Sequence, residues 1–71
     1  MDISTAKRAA IEGLPVTVYR PGTEPIRYSH ISAIIFTPVN GIFKTSLELA
    51  DMVKGVTRAS TEYVELTEEE I

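Results

Sequence analysis

Hydrophobic and polar positions alternate most regularly on either side of Asn40-Gly41. Before that pair the chain runs Ile31-Ser-Ala-Ile-Ile-Phe-Thr-Pro-Val39, and after it Ile42-Phe-Lys-Thr-Ser-Leu-Glu-Leu-Ala50. Alternation with period two marks a half-buried strand. Asn-Gly between two such runs marks a two-residue hairpin turn, because both central positions need positive φ. The turn sets a register in which Val39 faces Ile42, Pro38 faces Phe43, Phe36 faces Thr45, Ile34 faces Leu47 and Ser32 faces Leu49. Opposed residues share a face, so Ile34, Phe36, Phe43, Leu47 and Leu49 form the expected core face. Ile31, Ala33 and Ile35 fall on the other face with Ala50, Glu48 and Ser46. That half-apolar face needs a cover: a helix, another strand or a second copy of the chain.

Helical spacing appears at the start of the chain. Residues 1–13 read as a short helix, with Asp2 or Ser4 to cap it, Gly13 at the C′ position and Ile3, Ala6, Ala10 and Ile11 as an apolar stripe. About nine residues do not hold a helix in water, so it must dock, and the Ile31 and Ile35 face is the expected partner. Residues 14–20 alternate, Leu14, Val16 and Val18 against Thr17 and Tyr19, as a strand beginning near Pro15. Residues 20–25 form a loop, where Pro21-Gly22 suits a type II turn. Residues 26–39 are long for one strand. Polar His30 and Ser32 interrupt the apolar face, and a bend or bulge is expected near Ser29 and His30.

Residues 42–52 read as a strand. A helix at 46–54 is the alternative, supported by the Thr45-x-x-Glu48 capping box, the stripe Leu49, Met52 and Val53, and Gly55 at C′. Then follow a turn at Lys54-Gly55, a strand at 56–59, a single tight turn at 60–63 and a short last strand at 64–66. The expected organisation is a helical segment 1–13, a β domain 14–66 and an acidic tail 67–71.

Size and charge refine this picture. A chain of 71 residues makes one domain, and at that size only about 60% of the unfolded surface is buried, so dimerisation would add stability. With no cysteine, disulfides and cysteine metal sites are excluded. No apolar run approaches the roughly 18 residues of a membrane span, and no signal-peptide pattern is present; the expected location is the cytoplasm. The net charge of −3 hides an asymmetry: residues 62–71 hold five acidic and no basic groups, leaving seven basic and five acidic in residues 1–61, or +2. The acidic end reads as a solvated terminus, with shielding of a basic surface as the sharper alternative.

Five short strands, a tight hairpin and the segment Ala59-Ser-Thr-Glu-Tyr-Val-Glu-Leu66 give the chain a resemblance to SH3-like small barrels. There a 3₁₀ turn precedes the closing strand, and Ser60, Tyr63 and Val64 match that segment. The resemblance implies a mainly β, five-stranded small barrel, here with a short N-terminal helix; a helix at 46–54 would make the fold α+β instead. The chain departs from SH3 domains proper in lacking their aromatic motif after the first strand and the tryptophan of their peptide groove. Binding of proline-rich peptides is therefore not implied. The chain also resembles short uncharacterised bacterial and phage proteins.

Candidate chemistry is sparse. His30 is the only histidine, and a nucleophilic site would need it beside a hydroxyl and a carboxylate, with no Gly-x-Ser-x-Gly context in the chain. One histidine and scattered carboxylates do not supply the clustered ligands of a metal site. Each of the four glycines suits a turn or cap, and none belongs to a phosphate loop. No catalytic, cofactor or metal residues are expected. The expected function is a non-catalytic protein-interaction or adaptor domain that associates with itself, using Tyr19, Ile31, Ile35 and Tyr63 as contacts. Burial of Ile31 and Ile35 under the helix is the competing reading. The alternative function is a weak single-stranded nucleic-acid-binding barrel using Arg20, Arg27, Lys44 and Arg58 with Tyr19 and Tyr28. Against it, a body of only +2 is far less basic than such modules usually are, and Tyr28 suits a core position equally well.

Overall fold

The computed structural model describes residues 1–67. The elements, in chain order, are α1 (Ile3–Glu12), β1 (Val16–Val18), β2 (Ile26–Tyr28), β3 (His30–Val39), β4 (Ile42–Asp51), β5 (Gly55–Ser60), a 3₁₀ turn (Thr61–Tyr63) and β6 (Val64–Leu66). The fold is mainly β with one short N-terminal helix. It has two three-stranded sheets, ordered β2-β1-β6 and β3-β4-β5, and all their pairings are antiparallel. No ladder joins the two sheets into a closed barrel among the described residues. The acidic tail read from the sequence lies, beyond Thr67, outside the described residues.

The hairpin forms around Asn40 at φ 49° and Gly41 at φ 81°. Leu47 and Leu49 are fully buried in β4, so the alternative helix at 46–54 is not formed. Residues 46–51 are strand and 52–54 are turn. The Asp51 carboxylate organises that turn by accepting hydrogen bonds from the backbone N–H groups of Val53 (3.0 Å) and Lys54 (3.2 Å). Lys54 Nζ lies 3.6 Å from the same carboxylate.

From Ala33 to Val39 the register is the one the turn sets, Val39 against Ile42 through Ala33 against Glu48. It then shifts. Ile31, not Ser32, lies opposite Leu49, and His30 lies opposite Ala50. Ser32 is the extra residue of a bulge, and its hydroxyl donates to the Glu48 carbonyl (3.2 Å) and carboxylate (3.0 Å). One unpaired residue reverses the parity of every side chain before it, so Ile31 moves to the core face and is 3% exposed. The expected bend is also present. The chain breaks strand geometry at Ser29, between β2 of one sheet and β3 of the other. Ser29 is held there by its N–H (3.0 Å) and its hydroxyl (2.8 Å), both donating to the Ala50 carbonyl.

The core is one cluster of Ala6, Ala9, Val16, Val18, Tyr28, Ile31, Leu47, Leu49, Ala59 and Val64. α1 starts at Asp2, whose carboxylate accepts from the Thr5 N–H at 2.7 Å, and ends at left-handed Gly13, whose N–H donates to the Ala9 carbonyl. The helix packs along β3 through Ala6 of the expected stripe together with Ala9, with Ala10 packed against the core. Of the expected partners Ile31 and Ile35, only Ile31 lies in that core. Ile11, assigned to the apolar stripe from its spacing, is 86% exposed. The strand read at 14–20 narrows to Val16–Val18, with all three residues buried. Thr17, expected to face outward, is covered, and its hydroxyl meets that of Thr67 at 2.6 Å.

Candidate functional site

β5 accompanies β4 only from Asp51 to Ser46. Beyond Ser46 the hairpin continues without a third strand, so Phe36–Val39 and Ile42–Thr45 form a two-stranded arm. Side chains alternate along it. Phe36, Pro38, Phe43 and Thr45 continue the face of Ile34 and Leu47, while Thr37, Val39, Ile42 and Lys44 take the other. The arm therefore prolongs the core face past the end of the core. Phe36 is 51% exposed and Phe43 is 69% exposed. Their alternation predicts both for the core, and both lie outside it, on the part of the hairpin that β5 does not accompany. They are the only two phenylalanines in the chain, and the cluster that fills the interior contains neither. No charged side chain lies on this face of the arm.

The four contact residues expected from the sequence are not brought together. Ile31 is buried with Ala6 and Ala9 and belongs to no surface. Ile35 is half-buried on the outer face of β3, opposite Ser46. Tyr19 and Tyr63 are neighbours: the Tyr19 N–H donates to the Tyr63 carbonyl at 2.7 Å. Tyr19 is exposed, while Tyr63 is half-buried against the core. The exposure of Phe36 and Phe43 was not legible, because nothing in their spacing says where the third strand ends.

Three of the four basic candidates do converge. Lys44 and Arg58 line a shallow groove of about 450 Å³, with Thr37, Thr45, Ser60 and Glu62 around them. Arg20 reaches the same neighbourhood, where its guanidinium donates to the Arg58 carbonyl at 2.7 Å. Arg27 stands apart in the other sheet, on β2 opposite Thr17. Tyr28 is buried, so it offers no base-stacking surface, although Lys54 Nζ lies 5.6 Å from its ring centroid.

His30 is exposed, and its Nδ1 is 2.9 Å from the Ser29 hydroxyl. That hydroxyl is also 2.8 Å from the Ala50 carbonyl, and whether Nδ1 donates to the serine oxygen or accepts from it depends on the imidazole tautomer. Among the described residues, no group of three or more His, Asp or Glu side chains is placed to hold a metal ion, and no helix is long and apolar enough to cross a membrane. Comparison with protein-family models, curated proteins and solved structures returns no match to this chain.

Proposed function

We propose that this chain is an SH3-like small barrel, acting without catalysis as a protein-interaction or adaptor domain, and that it associates with itself. The connectivity supports the fold assignment. A strand bent at Ser29 contributes its first part to one sheet and its second to the other, and a 3₁₀ turn leads β5 into β6, which returns to pair with β1. One observation carries the functional reading. Both phenylalanines lie on the surface, while the interior is assembled from alanine, valine, leucine, isoleucine and one tyrosine. Large apolar side chains left together outside a small core mark a contact surface. Light scattering coupled to size exclusion, from micromolar to millimolar protein, tests the self-association: a dimer mass at the upper end supports it, and a monomer throughout removes it.

The convergence of Arg20, Lys44 and Arg58 favours weak single-stranded nucleic-acid binding as a second reading. Such binding is electrostatic and must weaken steeply with salt. Filter binding of single-stranded DNA and RNA at low salt, compared with a Lys44→Glu, Arg58→Glu variant, decides it.

A further inference from the structure

The reading above says that the chain associates with itself; resting on it, we infer that the surface used is the core-side face of the β3–β4 arm, packed against the same face of a second copy about a twofold axis. Phe36 and Phe43 lie diagonally across the ladder, one pair apart, with Pro38 opposite Phe43 and Thr45 opposite Phe36. A phenylalanine offers about 150–250 Å². With the exposures given, the two rings present about 200–300 Å² of apolar surface, at the lower edge of the largest patch on a typical monomer. A stable dimer buries about 800 Å² per partner. The two rings supply less than half of that area and would form its apolar centre, with the remainder drawn from the residues around them.

Two features select a second copy as the occupant. The face carries no charge, so superposing it on itself brings no like charges together, whereas Lys44 on the opposite face would meet its own image. The face is also continuous with the interior through Ile34 and Leu47. A second arm laid across it therefore extends both cores. A two-stranded ribbon alone is marginal in water, and each arm gains the third layer it lacks. A heterologous contact would leave one arm of each pair uncovered, while a twofold contact covers both and closes.

The test compares the full-length chain with Phe43→Asp, Phe43→Lys and Phe36→Ser variants by light scattering, with amide dispersion in NMR spectra reporting on the fold. The expected result is a wild-type dimer, at least tenfold weaker association in each folded variant, and renewed association when the Asp and Lys variants are mixed, because only a face that meets itself brings the opposite charges together. A wild-type dimer with unimpaired association of a folded Phe43→Asp or Phe36→Ser chain overturns the assignment of the surface and leaves self-association standing. Loss of association in the single variants without recovery in the mixture overturns the twofold arrangement. A wild-type monomer at all concentrations overturns both the inference and the reading beneath it, including where the arm instead proves to bind another protein.

Discussion

Side-chain size is a poor guide to what each residue contributes here. Leu47 is fully buried between the sheets and Phe43 is mostly exposed. Leu47→Ala removes buried methylene groups and leaves a cavity, costing about 2–5 kcal/mol. Phe43→Ala, at dilutions where the chain is monomeric, stays within about 0.5 kcal/mol of wild type, as surface substitutions do. Urea unfolding of both variants measures the contrast, and comparable losses would place Phe43 in the core after all. Two carboxylates carry a pH signature. Asp51 is held below its ordinary value of 3.8, first by the Val53 N–H and then by the Lys54 N–H; Asp2 is held below it by the Thr5 N–H. In each case the unfolded chain takes up the proton first. The stabilisation is therefore intact above about pH 4 and is lost as the pH falls through the lowered folded values. Asp2→Asn and Asp51→Asn variants should flatten the acid limb of a plot of Tm against pH, and unchanged limbs would assign the acid sensitivity elsewhere.

At the scale of elements, the turn and the helix face carry the fold. Gly41 sits at φ 81° and nothing lies near the position a Cβ would take, so Gly41→Ala meets backbone strain alone, about 1–2 kcal/mol. On α1, Ala6 and Ala9 have no exposed surface. Ala9→Leu keeps helix propensity nearly constant and overfills the contact with β3, costing about 1–3 kcal/mol. Thermal unfolding checks both, and an Ala9→Leu chain as stable as wild type would mean that the helix sits loosely. These elements differ in how visible they are in the sequence. Asn40-Gly41 announces its own geometry, and the pairs from Val39–Ile42 to Ala33–Glu48 follow by counting. Ser32 shows in the sequence as a polar interruption of the apolar face, but that does not say that the extra residue falls at Ser32 itself rather than near Ser29 and His30. The side taken by Ile31 was therefore illegible, and with it the failure of Ile31 as a surface contact. The helix was legible from its caps, and its buried face in part. Spacing placed Ala6 and Ala10 correctly but also favoured large Ile11 and passed over Ala9, whereas close approach to a strand selects the small Ala6 and Ala9. The groove lined by Lys44 and Arg58, with Arg20 bonded to the Arg58 carbonyl beside it, was legible only as residue types, because it depends on how β5 and the end of β1 come together.

At the scale of the whole molecule, the distribution of apolar surface has a thermodynamic consequence. A domain of this size buries a smaller share of its surface than a large one, and here its two phenylalanines stay half or more exposed. If the arms cover one another, the native state gains a partner that the unfolded chain does not have, and mass action ties stability to concentration. The Tm of the wild-type chain should then rise with protein concentration, on the order of 5 °C over about a hundredfold range for a domain this small. In the Phe43→Asp variant the slope should vanish, because two buried carboxylates would face each other without counter-charges. Differential scanning calorimetry at several concentrations reads both. A wild-type Tm that does not move would mean that the arm contributes nothing to folding, and that its phenylalanines face solvent until something other than this chain arrives. A slope that persists in Phe43→Asp would place the self-contact on another surface, with exposed Tyr19 the next to substitute.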